Sequence, residues 1–151
     1  MKLVIFDTKL KEKVELTPAD GLTLKMYTCG PTVYNYAHIG NLRTYMFEDL
    51  LRRTILLAGM QVMHVMNITD VDDKTIRKAV EEGVPLKVIT SQYAEEFFND
   101  LKMLNIQPAE VYPAATDHIE EMIAMIDSLI QKGYAYAKDD GNVFFRIRVT
   151  L

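Results

Sequence analysis

The stretch "TCGPTVYNYAHIGN", residues 28–41, gathers a thiol, a Gly-Pro break and a His-x-Gly-Asn run. Cys29 is the sole cysteine of the chain, and a thiolate is both a nucleophile and a soft ligand for zinc. His38 and Asn41 carry side-chain N–H donors, and Gly40 between them lets a ligand approach the backbone closely. At the first turn of a helix, these donors would join unpaired backbone N–H groups and the positive end of the helix dipole. Such a set suits phosphate oxygens that gain charge in a transition state, and it needs no covalent nucleophile. Taken singly, each residue also has a plainer reading. His38 would be a helix cap or a buried hydrogen-bonded residue, Cys29 a small buried hydrophobe, and Gly30-Pro31 a turn.

Elements must position these groups. "KLVIF" (2–6) and "LTLKMYT" (22–28) read as strands, separated by a turn at Pro18 to Gly21. From Gly40 to Ala58 the apolar spacing is helical, with Leu42, Met46 and Leu50 four apart and Gly59 as a stop. "QVMHVMNI" (61–68) is an almost unbroken apolar run, as expected of a strand covered on both faces in a parallel sheet. Strand, loop, helix and strand make one βαβ unit, and residues 28–41 fall in the crevice where open α/β sheets bind ligands.

Downstream, the pattern predicts a helix from Val71 or Asp72 to Gly83 and a second from Leu86 to Leu104. The second buries Ile89, Tyr93, Phe97, Leu101 and Leu104. A third opens at Thr116-Asp117 with capping-box spacing to Glu120, buries Ile119, Met122, Ile123, Ile126 and Ile130, and stops at Gly133. "YAYAKDDGNVFFRIRV" then reads as a hairpin about Asp140-Gly141.

Composition sets outer bounds. The chain has 151 residues, 49% hydrophobic and 25% charged, the balance of one globular domain. Its net charge of -4 carries no global nucleic-acid signature, although a local basic patch remains compatible with it. A single cysteine excludes an internal disulfide, the start has no signal-peptide run, and no stretch reaches the ~20 apolar residues of a membrane span. A cytoplasmic protein with no membrane association is expected. "TDVDDK" clusters Asp70, Asp72 and Asp73, but lacks the glycine and glutamate of a calcium loop, so helix capping competes with metal binding. Lys74, Arg77 and Lys78 form a basic cluster that reads either as a solvated helix face or as a nucleic-acid backbone contact.

The run "CGPTVYNYAHIGNLRTY" resembles the signature of the class I aminoacyl-tRNA synthetases and, within them, the cysteinyl-tRNA synthetases. "NITDVDDKTIRKA" (67–79), "ATDHI" (115–119) and "KGYAY" (132–136) extend the likeness over essentially the whole chain. The resemblance implies an α/β fold. Residues 1–84 would form the first half of a Rossmann-like parallel sheet with its His-Ile-Gly-His-type motif. Residues 85–151 would add further catalytic-domain helices and the start of a connective insertion with its β-hairpin. It implies ATP-dependent activation of L-cysteine to cysteinyl-adenylate, with Mg2+ accompanying ATP, and transfer to tRNA(Cys).

By the same resemblance, Cys29 matches one zinc ligand that selects the substrate thiol. Gly30, Thr32 and Thr69 match positions near the substrate cysteine. His38, Gly40 and Asn41 match ATP-handling positions, with His38 and Asn41 catalytic, while Thr44 and Asn67 lie where the adenylate is expected. Asn41 replaces the usual second histidine and cannot carry positive charge. The remaining zinc ligands and the lysine-rich ATP loop of the family have no match here, since His64 and His118 do not fall at ligand positions. A fragment of a longer protein is therefore expected, monomeric and with little or no activity alone. A cysteine ligase of mycothiol synthesis shares these motifs. Pantetheine-phosphate adenylyltransferases share only the histidine motif, and a non-catalytic nucleotide- or tRNA-binding fragment stands as the non-enzymatic alternative.

Overall fold

The computed structural model describes residues 2–147, which form two compact units divided after Ala115. Near the N-terminus, β1 (Val4–Asp7) pairs antiparallel with β2 (Glu12–Glu15). The second strand of this hairpin escaped the sequence pattern because "EKVE" has charge at three of its four positions. β3 (Thr23–Thr28) leads into the chemistry-bearing loop and α1 (Ile39–Leu57), and β4 (Gln61–Met66) returns parallel to β3, Thr28 opposite Met66. This is the expected βαβ unit. α1 ends as predicted, with Gly59 at φ +88, a left-handed conformation that disfavours residues with a Cβ.

The parallel pairing runs past the ends of both strands. Thr32 bridges Thr69, the Val33 N–H donates to the Thr69 carbonyl at 3.1 Å, and the Thr69 N–H donates to the Pro31 carbonyl at 2.9 Å. On the other edge of β4, Val65 and Ile68 form parallel bridges with Val111 and Ala114. β4 is therefore the central strand of a three-stranded parallel arrangement. Its exposure alternates, with His64 and Met66 buried and Met63 exposed, so only one face is fully covered, contrary to the two-sided burial expected from its apolar run.

α2 (Asp73–Glu82) starts at Asp72, whose side chain accepts from the Lys74 N–H at 2.6 Å. That settles the acidic cluster in favour of capping at this position. Thr75 completes the reciprocal box: its hydroxyl accepts from the Asp72 N–H at 2.9 Å. α3 (Leu86–Met103) buries Ile89, Tyr93, Phe97 and Leu101 as its periodicity predicts, whereas Leu104 lies past its end and is exposed. With Val33, Tyr45, Met66, Ile68, Ala79 and Ala109 these residues form one core. The buried stripe of α1 is Tyr45, Arg52 and Ile55; Met46 and Leu50, expected inside, are exposed. A buried arginine had hidden the stripe from an apolar-only pattern.

In the second unit, a 3-10 turn (Ala115–His118) precedes α3's successor, α4 (Ile119–Gln131), and β5 (Ala135–Ala137) pairs antiparallel with β6 (Val143–Phe145). The hairpin lies where the sequence puts it, apart from residues 148 and 149, which fall outside the described range. Two expectations about α4 fail. Its N-cap is His118, without a side-chain cap bond, and Ile119, Met122, Ile123, Ile126 and Ile130 are all exposed. Among the described residues, the short β5–β6 pair leaves this apolar stripe uncovered. No helix among the described residues is long and apolar enough to cross a membrane.

The tightest backbone approach is at Gly30. A Cβ there would lie 1.7 Å from the Asn67 carbonyl oxygen and 2.9 Å from its carbon, so any side chain forces the ends of β3 and β4 apart. Gly30→Ala is expected to destabilise the fold by about 3 kcal/mol, lowering the thermal midpoint by roughly 10 °C. A circular-dichroism melt of the variant against the parent measures it.

Candidate active site at the ends of the parallel strands

The loop between β3 and α1 folds back over the strand ends and walls a cavity of about 410 Å3. Gly30, Thr32, His38 and Asn41 line it, so four of the residues singled out from sequence meet at one opening. Tyr45, Tyr93 and Phe97 supply an aromatic wall from α1 and α3, with Tyr45 and Phe97 edge to face at 5.2 Å. Tyr36 packs edge-on against Tyr93 at 5.3 Å. The wall was legible only as core, because its residues sit at ordinary helical spacing.

His38 is the N-cap of α1. Its Nδ1 accepts from the Gly40 N–H at 3.0 Å, so in the neutral ring the proton sits on Nε2. Asn41 Oδ1 accepts from the His38 N–H at 3.3 Å, which completes a capping box. The plain and the chemical readings of His38 thus coincide: one edge of each side chain locks the helix start, leaving His38 Nε2–H and the Asn41 amide N–H groups as donors. Gly40 also has a local reason, since a Cβ there would lie 2.8 Å from the His38 ring.

Other expected residues are placed differently. Asn67 accepts from the Gly30 N–H at 3.1 Å and donates to Thr69 Oγ1 at 3.1 Å, so its amide struts the two strand ends. Thr44 donates to the Gly40 carbonyl of its own helix at 3.3 Å. Cys29 is exposed, contrary to the buried-hydrophobe reading, with its thiol 3.7 Å from the Gly30 carbonyl oxygen. Cys29, Gly40, Thr44, Asn67 and Thr69 do not line the cavity itself. Among the described residues no group of three or more His, Cys, Asp and Glu side chains could hold a metal ion. Cys29 suits zinc as a single soft ligand, but these residues do not assemble the four that a structural zinc site takes.

Beneath Cys29 lies a polar layer that sequence reasoning missed. Thr28 Oγ1 shares a 2.8 Å hydrogen bond with Nε2 of the buried His64, joining the ends of β3 and β4. The His64 N–H donates to Glu110 Oε2 at 2.6 Å, and Glu110 also pairs with the buried Arg52. Arg52 Nη1 donates to the Pro108 carbonyl at 2.5 Å, strapping α1 to the segment beside β4. Burial, reinforced by the Arg52 charge, lowers the His64 pKa from its ordinary value, with Glu110 and Asp49 opposing. Burial raises the Glu48 carboxyl, whose Oε2 has no hydrogen-bond partner among the described residues, while the Thr28 hydroxyl opposes the rise. Burial also pushes the Tyr45 hydroxyl up to about 12, with Glu48 and Cys29 adding to it. Spacing along the chain gives no sign of this layer, because its members come from α1, β3, β4 and the segment after α3.

Residues 15–150 match the family described as tRNA synthetases class I (C) catalytic domain. The chain belongs to that family. It is 55% identical over 145 residues to a cysteine–tRNA ligase of Protochlamydia amoebophila, an alignment covering 96% of this chain and 30% of the relative. It is 51% identical over 146 residues to the corresponding ligase of Chlamydia caviae, covering 97% and 30%. The chain therefore spans about 30% of the length of these relatives. Among solved structures, a Mycobacterium tuberculosis methionyl-tRNA synthetase in complex with methionyl-adenylate superposes with a TM-score of 0.69. It is 18% identical, and the match covers 83% of this chain and 26% of that one. A leucyl enzyme from Agrobacterium radiobacter, in a ternary complex, gives 0.68 at 20% identity, covering 81% and 16%. These two likenesses establish the class I synthetase fold, and the family match agrees with the α/β reading of the sequence.

The two buried groups give stability opposite pH dependences. Glu48 has its folded pKa above the unfolded value of 4.5, so its burial penalty is absent below pH 4.5 and present once pH exceeds the folded pKa. Glu48→Gln is therefore expected to raise the thermal midpoint at pH 7.5 relative to the parent, with the gain vanishing near pH 4. His64 has its folded pKa below 6.5, so its contribution is intact above pH 6.5 and is lost as pH falls from there through the folded pKa. Melts of the parent and both Glu48→Gln and His64→Gln from pH 4 to 8 separate the two, and His64→Gln should flatten the loss between pH 7 and 5.5.

Proposed function

We propose that this chain supplies the phosphate-facing and thiol-facing residues of a cytoplasmic cysteine–tRNA ligase. The substrates are L-cysteine, ATP with Mg2+, and tRNA(Cys). The observation that carries the reading is the His38–Asn41 capping box, opening on the same cavity as Gly30 and Thr32. In the first step the cysteine carboxylate attacks the α-phosphorus of ATP, forming cysteinyl-adenylate as the bond to the bridging oxygen of pyrophosphate breaks. Negative charge grows on the phosphate oxygens during this displacement. His38 Nε2–H and the Asn41 amide donate to them, and the start of α1 adds its positive dipole end. Because both side chains are already fixed by cap bonds, little reorganisation accompanies the charge shift. Asn41 serves as a neutral donor where histidine would add charge.

Thr32 and Thr69, bridged across the strand ends, are the proposed neighbours of the substrate amino acid, with Gly30 beside them on the cavity wall. Asn67 and Thr44 are the proposed adenylate contacts, held in position by their bonds to Gly30, Thr69 and the Gly40 carbonyl. Cys29, at the end of β3, is the proposed thiolate ligand of a zinc ion whose other ligands are not among the described residues. Zinc would supply affinity for the substrate thiol, and no step above is routed through it. Residues 1–84 form the proposed catalytic half and residues 85–151 the transition to the connective insertion.

The test replaces the matching first part of the Protochlamydia amoebophila ligase with this chain and follows ATP–pyrophosphate exchange. Cysteine-dependent exchange is expected from the hybrid, with His38→Ala and Asn41→Ala each lowering kcat by about 100-fold, and exchange near background from the 151-residue chain alone. A folded hybrid that exchanges with another amino acid, or that ignores both substitutions, overturns the proposal.

A further inference from the structure

Cys29 is held through its neighbours. The residue is exposed, and its thiol meets the Gly30 carbonyl oxygen at a long 3.7 Å. The residues on either side are fixed more firmly. The Gly30 N–H donates to Asn67 Oδ1 at 3.1 Å, and Thr28 Oγ1 bonds Nε2 of the buried His64 at 2.8 Å. Thr28 lies opposite Met66 and Met26 opposite His64, so the His64 ring reaches along one sheet face to meet the last residue of β3.

The Thr28 hydroxyl works in two directions. It also bonds the Glu48 carboxylate, which as an acceptor takes the hydroxyl proton. The hydroxyl then accepts from His64 Nε2–H, and the unpartnered Nδ1 is the bare ring nitrogen. His64 is anchored from behind, because its backbone N–H donates to Glu110, which pairs with the buried Arg52. The strands do not need the Thr28–His64 bond to stay together. Six register pairs, from Thr23–Gln61 to Thr28–Met66, already join β3 to β4. An apolar side chain at residue 64 would leave that pairing intact and remove a buried nitrogen that has no partner. What it would take away is the hold on Thr28, one residue before the thiol.

We propose that His64 is a positioning residue for Cys29: by holding the Thr28 hydroxyl, it sets the direction in which the thiol leaves the end of β3. The inference rests on the proposed function, in which Cys29 is one ligand of the zinc ion that takes the substrate thiol. It assigns to His64 an effect on metal and cysteine, and none on the phosphate step at His38 and Asn41.

His64→Phe keeps an aromatic ring and removes the bond, whereas His64→Gln restores a side-chain amide within reach of Thr28. In the 151-residue chain, 15N relaxation is expected to give the Cys29 amide an order parameter of about 0.85, falling below about 0.7 in His64→Phe. His64→Gln should return it to the parent range, and the thermal midpoint of His64→Phe should stay within about 3 °C of the parent. Thr28→Val removes the same bond from the other strand and should reproduce the loss of order. In the hybrid with the Protochlamydia amoebophila ligase, chelator competition should show zinc held about tenfold or more weakly by His64→Phe. Pyrophosphate exchange should show the KM for cysteine raised about tenfold, with the KM for ATP and kcat within about twofold. Arg53→Gln, which loosens the strap from α1 to the Asn105 carbonyl, is the control and should leave zinc and cysteine unaffected. An unchanged order parameter, an unchanged zinc affinity, a loss shared equally by ATP and cysteine, or a loss that His64→Gln does not rescue overturns the proposal. A hybrid that exchanges no cysteine counts against the proposed function, while relaxation of the 151-residue chain still decides whether His64 positions Cys29.

Discussion

The site depends on how closely two parallel strand ends approach each other. Gly30 lies against the Asn67 backbone with no room for a Cβ, and that contact permits the hydrogen bonds which continue the pairing to Thr32 and Thr69. A side chain at residue 30 would separate the strands where the loop must turn back toward α1. With the strands held, the loop has a fixed origin, and the start of α1 comes to the mouth of the same cavity. The Asn67 amide, bonded to Gly30 and Thr69 at once, reinforces the junction from within.

A second constraint lies one layer deeper. The Thr28–His64 bond ties β3 to β4 immediately before Cys29, and Arg52 and Glu110 connect that bond to the segment beyond α3. Burying these groups has a cost: Glu48 Oε2, Arg52 Nε and His64 Nδ1 have no hydrogen-bond partner among the described residues. An apolar layer would avoid that cost, but it could not link the Thr28 hydroxyl to β4 or hold the Pro108 carbonyl. The layer trades stability for a defined position of the loop that carries Cys29.

The βαβ unit was legible because its signals are local and redundant: the apolar run of β4, the Gly59 stop, and the four-residue spacing in α3. The gathering of Gly30, Thr32, His38 and Asn41 was legible too, since one short loop carries all four. The polar layer was not, because Thr28, Arg52, His64 and Glu110 meet only through tertiary packing. Arg52 disguised the inner face of α1, and the exposed Met46 and Leu50 suggested a different one. In α4 the apolar pattern is real, but the described residues around it do not cover it, since periodicity marks an apolar face without naming what packs on it. Asn67 and Thr44 were legible only through family resemblance, and their bonds to Gly30, Thr69 and the Gly40 carbonyl appear only in the folded chain.

The central claim is that a phosphate meets the first turn of α1 inside this cavity. Two-dimensional amide NMR of the isotope-labelled chain, titrated with a non-reactive cysteinyl-adenylate analogue, addresses it directly. The account predicts the largest shifts at the Asn41 side-chain amide and at Thr32, together with a change at the His38 ring. Binding that leaves those resonances in place while moving others, or no binding at all, would contradict it.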